Sequence, residues 1–156
     1  MKLCEVLTGN LIRIPLQSFE KKEIITELVD ILSSNGKLDD RDKVLQAVLE
    51  RETMMSTGIG NGVAIPHGKS QGVPELAVAL GITSQDVNFD SLDGRPVRIV
   101  FMLVGPEKAS SLHIKMLSRI SRLLNQPAFR KRLTESTSGQ EIIDTIREEE
   151  RLLESH

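Results

Sequence analysis

Apolar residues recur at two different periods along this chain, and the switches between periods divide it into elements. From Ser18 to Gly36 the apolar positions Ile24, Ile25, Leu28, Val29 and Leu32 return every three or four residues, the spacing of one helix face. Ser18 stands where an N-cap belongs, Glu20 falls in the first turn, and Asn35 and Gly36 supply left-handed closing chemistry. A second helix is predicted from Asp39 or Asp40, with Val44, Leu45, Val48 and Leu49 on one face and Arg51 in its last turn. So short a connection predicts an antiparallel pair.

The helical period then stops. Ser56 to Gly68 carries glycines at 58, 60, 62 and 68 and a short apolar run, Val63 to Ile65, that Pro66 ends. The pattern predicts a loop, a short strand, and His67 at that strand's end. Leu76 to Ile82 and Val97 to Val104 are uninterrupted apolar runs of strand length, suited to strands covered on both faces, with a turn signal at Asp93-Gly94 between them.

Helical spacing returns from Ser110 or Ser111 to Leu124, through Leu117 and Ile120. Pro127 suits the first position of a short helix bearing Phe129 and Leu133. Ser138 and Glu141 read as a capping box ahead of Ile142, Ile143 and Ile146, and the tail REEERLLESH is expected to extend that last helix and fray. The order of elements predicts a single α/β domain over residues 1–156, with a mixed central β-sheet flanked by helices on both faces. Strand order is not encoded in this pattern.

A domain of 156 residues is long enough to bury roughly 68 to 70% of its unfolded surface without disulfide or metal staples. Aromatic residues make up only 3%, with no Trp or Tyr, so the core is expected to be aliphatic and methionine-rich. Twenty basic against 22 acidic residues give a net charge of -2, without the basic footprint or exposed rings of a nucleic-acid binder. The single Cys4 can form neither an internal disulfide nor a metal framework, so no metal site is expected. No apolar run approaches the roughly 20 residues that cross a bilayer, and the N-terminus lacks a signal-peptide pattern. A cytoplasmic protein without direct membrane insertion is expected.

The densest chemistry lies in Thr57-Gly58-Ile59-Gly60-Asn61-Gly62-Val63-Ala64-Ile65-Pro66-His67-Gly68-Lys69. Glycines at alternate positions allow close backbone approach, and successive N–H groups at Gly58, Gly60, Asn61 and Gly62 would suit a phosphate-binding nest. The plainer account is a tight turn with left-handed residues and a core histidine. Two phosphate motifs come close and fail. A P-loop needs four residues between glycine and Gly-Lys-Ser, where five separate Gly62 from Gly68, and a dinucleotide fingerprint needs strand before and helix after, the reverse of what is found.

The block, together with FDSLDGRPVRIVFMLVGP, SSLHIKML and the two opening helices, resembles the fructose/mannitol class of phosphotransferase-system enzyme IIA domains, and within it the nitrogen-regulatory branch. The resemblance covers nearly the whole chain. It implies a phosphorylated histidine at His67, completed by Arg51 and His113, and a relay needing no metal or organic cofactor. It also implies a histidine-containing carrier protein as donor, and a downstream phosphotransferase domain or a regulated transporter or kinase as recipient.

Elementary chemistry is consistent with those roles. Histidine accepts a phosphoryl group through a neutral ring nitrogen while the other nitrogen is held as a donor, for which a backbone carbonyl is the expected partner. A fixed guanidinium such as Arg51 suits the charge on the equatorial oxygens, although alone it would read as a solvated charge at a helix C-terminus. His113 shares a face with Leu117, Ile120 and Leu124 and so also reads as a packing residue, while its place in a first helical turn would favour a neutral, donating ring. His156 is given no role. Met54, Met55 and Met102 could line a docking surface, or fill the core of an aromatic-poor protein. A phosphocarrier, a regulatory module switched by phosphorylation, and a non-catalytic domain binding a small ligand or nucleotide on the glycine loop remain the function classes in play.

Overall fold

The computed structural model describes residues 1–154; His156 and its expectation lie outside the described residues. A short helix α1 (Leu3–Val6) and a two-residue strand β1 (Ile12–Arg13) lead into helix α2 (Lys21–Ser34), which begins three residues later than its predicted cap. Ser18 does not cap it, because its N–H and that of Gln17 are drawn to the buried carboxylate of Glu27 at 2.9 to 3.1 Å. The extended Glu20 takes the N-cap position with no side-chain bond. Burial alone would raise the Glu27 carboxyl, but these N–H groups together with Arg13 hold it below the usual range. Gly36, at φ +72°, closes α2 as predicted, with the Lys37 N–H on the Leu32 carbonyl at 3.0 Å.

Helix α3 (Arg41–Met54) is capped by Asp40, whose carboxylate accepts the Lys43 N–H at 3.2 Å, and Arg51 falls in its last turn. The glycine-rich stretch is more regular than a loop. Strands β2 (Gly58–Gly60) and β3 (Val63–Ala64) form an antiparallel hairpin, and Asn61 and Gly62, at φ 58° and 79°, provide the two left-handed residues that a tight two-residue hairpin turn requires. Pro66 then separates β3 from β4 (His67–Lys69), so His67 opens a strand of its own instead of ending the preceding one.

The two apolar runs become the long strands β5 (Ala77–Val87) and β6 (Val97–Gly105), antiparallel to each other and buried except at Ser84, Gln85 and Asp86 of β5 and the half-buried Arg98 of β6. The sheet runs β1-β5-β6-β3-β2, with β4 also on β6; β1 is parallel to β5, and both β3 and β4 are parallel to β6. Between β5 and β6, Gly94 at φ +72° donates to the Ser91 carbonyl, the turn that Asp93-Gly94 predicts.

Helices α4 (Ser110–Leu124), α5 (Pro127–Glu135) and α6 (Gly139–Glu154) complete a mixed α/β fold. The Ser138 hydroxyl accepts the Glu141 N–H at 3.2 Å as a capping box requires, but the Glu141 carboxylate reaches back to Thr137, one residue earlier than the box would place it. The core is aliphatic with Phe89, Phe101, Phe129, Met102 and Met116 inside it. Met102 is fully buried and belongs to no docking surface, whereas Met54 and Met55 are exposed.

Candidate functional site

Three elements meet over the C-terminal half of β6. Its residues Leu103, Val104 and Gly105 pair in parallel with His67, Gly68 and Lys69, which fixes β4 beside it. Gly68 lets α3 sit directly on β4: a Cβ there would lie 3.2 Å from Val48 Cγ2 and from the Val48 backbone nitrogen. Gly105 likewise leaves room for α4, since its Cβ would stand 3.4 Å from His113 Nδ1. The result is a pocket of about 380 Å³ lined by Ala47 and Arg51 of α3, by His67, Gly68 and Lys69 of β4, and by His113, Ile114 and Leu117 of α4.

The His67 ring is half-buried and its Nδ1 lies 2.8 Å from the Ile65 carbonyl oxygen. A carbonyl only accepts, so Nδ1 carries the hydrogen and Nε2 keeps the lone pair. Burial lowers the pKa of this ring; the bond to Ile65 works in the opposite direction, and the charges of Arg51 and Lys69 add to the lowering. His113 is 2% exposed, and its ring centroid lies 5.8 Å from that of His67. Both of its nitrogens are buried without a hydrogen-bond partner among the described residues. Burial first, then His67 and Lys69, push its pKa down to about 4, so the ring is neutral near pH 7.

Arg51 is steadied by donating to the Met55 carbonyl at 2.9 Å while it lines the pocket. Lys69, two positions after His67 and therefore on the same face of the strand, donates to the Ser110 hydroxyl at 3.1 Å. The alternation itself was the signal that could have marked it. Two cations and two neutral imidazoles thus surround a space able to receive a compact dianion.

The structure gathers Arg51, His67 and His113 but does not bring Gly58, Gly60, Asn61 and Gly62 to them. The Gly62 carbonyl accepts the N–H of Arg98, whereas His67 stands opposite Leu103, five positions along β6 and therefore about 16 Å away. The Asn61 N–H is occupied by the Asp93 carboxylate at 3.1 Å. These residues build a hairpin turn against an acidic side chain, which would repel an anion.

The family described as "Phosphoenolpyruvate-dependent sugar phosphotransferase system, EIIA 2" matches residues 5–149. The chain belongs to it. The "PTS system fructose-specific EIIABC component" of Bacillus subtilis is 42% identical over 97% of the chain, which spans only 24% of that longer protein. A "Nitrogen regulatory protein" of Bradyrhizobium diazoefficiens is 34% identical and matches end to end, over 94% of this chain and 95% of its own. The crystal structure of Nitrogen Regulatory Protein IIA-Ntr from Neisseria meningitidis superposes with a TM-score of 0.86 at 32% identity, covering 92% of this chain and 98% of that one. No helix among the described residues is long and apolar enough to cross a membrane.

Proposed function

We propose that this protein is a histidine phosphocarrier whose acceptor atom is Nε2 of His67. The observation that carries this reading is the bond between His67 Nδ1 and the Ile65 carbonyl, which leaves Nε2 as the one lone pair of a neutral ring in a pocket with two cations. The donor is a histidine-containing carrier protein. As the new Nε2–P bond forms, the N–P bond on the carrier breaks and its electron pair returns to the carrier's ring. The Nδ1–H of His67 stays on Ile65 throughout. Arg51 and Lys69 offset charge on the transferring oxygens, and neutral His113 offers one N–H to them. The exposed Ile114, Met54 and Met55 provide apolar area for a partner protein in the cytoplasm.

Incubation with phosphoenolpyruvate and the general phosphotransferase proteins is expected to add one phosphoryl group, and His67→Ala to abolish it. An unchanged mass of the parent protein, or undiminished labelling of His67→Ala, overturns the reading.

The end-to-end match to a nitrogen regulatory protein supports a regulatory destination for the phosphoryl state, acting on a transporter or kinase, and the 42% match to a fructose component supports onward transfer. Offering the phosphorylated protein a fructose-specific IIB domain separates them: rapid loss of phosphate to IIB identifies the sugar relay, and retention identifies regulation.

A further inference from the structure

The carbonyl that orients His67 is itself held from behind. Glu52 follows Arg51 in the last turn of α3 yet is only 8% exposed. Its carboxylate accepts the Thr57 N–H at 2.7 Å and, through a short contact, the Thr57 hydroxyl; Lys21 Nζ stands 3.4 Å away. The Thr57 carbonyl accepts the Ile65 N–H at 3.0 Å, and the Ile65 carbonyl accepts from His67. Pro66, which follows, has no N–H to donate, and its carbonyl accepts the Leu103 N–H at 3.0 Å. The Ile65 carbonyl is therefore held between the β6 ladder on one side and the Thr57 carbonyl, through the Ile65 N–H, on the other.

We propose that Glu52 is a positioning residue for phosphoryl transfer, fixing through Thr57 and Ile65 the carbonyl that selects the His67 tautomer. This rests on the reading of His67 as the acceptor. A neutral side chain would tie down Thr57 without the desolvation that a buried carboxylate suffers. The negative charge has its own effect at the site: of the charged groups that face His67, Arg51 and Lys69 disfavour ring protonation and Glu52 favours it. Glu52 thus sets both the direction of the ring's hydrogen and part of the field around it.

The test compares Glu52→Ala, Glu52→Gln and Thr57→Val by nitrogen NMR of the His67 ring and by the initial rate of phosphoryl uptake, at a temperature where each variant is folded. Glu52→Ala is expected to lose the single Nδ1–H tautomer and to slow uptake about 10- to 100-fold, the loss typical when a group orienting a reactive imidazole is removed. Glu52→Gln, which keeps an oxygen for the Thr57 N–H, is expected to recover the tautomer and most of the rate while lowering the His67 pKa. Thr57→Val, which keeps the backbone link, is expected to hold the parental tautomer, and Glu52→Leu, which fills the buried site with an apolar chain, serves if Glu52→Ala does not fold. A His67 tautomer unchanged from the parent in Glu52→Ala, or in Glu52→Leu where only that variant folds, overturns the proposal, as does a parental uptake rate in that variant. Failure of the parent itself to take up phosphate would defeat the functional reading alone, because the ring spectra remain readable without it.

Discussion

His113 is the residue at which burial and chemistry conflict most sharply. A core histidine ordinarily finds partners for its nitrogens, and here both stand unpaired among the described residues, in a buried site beside another imidazole. Because the folded pKa is depressed to about 4 from an ordinary 6.5, its stability contribution is fully present above pH 6.5 and is lost as pH falls through 4. The shift corresponds to about 3 kcal/mol across that window. His113→Gln is expected to show a shallower loss of stability between pH 7 and 4 than the parent in denaturant titrations, and an equal slope would contradict this. In the transfer assay His113→Ala is expected to retain acceptance at His67 while losing about 10- to 1000-fold in rate, with partial recovery in His113→Gln. Arg51→Lys is expected to slow transfer without moving the melting temperature, since an ammonium lacks the planar fork. That Arg51, His67 and His113 would share one pocket was legible through the resemblance to a family, since only the block around His67 is specific by itself and Arg51 and His113 alone read as a helix-end charge and a packing residue. Glu52 was not, because a charged residue at a helix end reads as solvated until the fold turns it inward.

Elements reveal a different limit. Helix boundaries set by local chemistry, as at Asp40, Gly36 and Pro127, were readable, whereas Ser18 was misread as a cap because a carboxylate nine residues away captures its N–H. The glycine stretch was read as an anion nest when its spacing serves a hairpin that packs tightly: a Cβ at Gly58 would lie 2.4 Å from Ser91 Oγ. Gly58→Ala is therefore expected to destabilise the protein by about 1 to 3 kcal/mol while leaving the transfer rate of the folded fraction unchanged. Gly68→Ala makes the opposite case. Its added methyl meets α3 backbone at 3.2 to 3.3 Å and separates the strand bearing His67 from the helix bearing Arg51, so it is expected to slow transfer more than it lowers stability. Rate and unfolding measurements on the two variants check both statements.

At the scale of the whole molecule, the apolar runs announced a buried sheet but not its order, since nothing local tells β6 that β3 and β4 will lie parallel beside it while β5 returns antiparallel. The ends are joined by a contact equally invisible to periodicity. The Glu150 carboxylate accepts the N–H groups of Leu3 and Cys4 at 2.7 and 2.9 Å and the Arg119 guanidinium at 3.0 Å. Glu150→Ala is expected to lower stability by about 3 kcal/mol in urea titration and to spare transfer in the folded protein. The unpaired imidazole of His113 has a last consequence for traffic through the proposed relay. A donor without a protein partner among the described residues that then meets phosphate oxygens ties stability to occupancy, so the loaded form of the proposed relay is expected to be the harder of the two to melt. By the same coupling it is the more reluctant giver: one N–H contributing about 1 kcal/mol shifts the exchange with the carrier about fivefold toward retention. Within the proposed relay the exchange is thus drawn toward the charged form, while the same N–H, if it also serves the transition state, speeds loading and unloading alike.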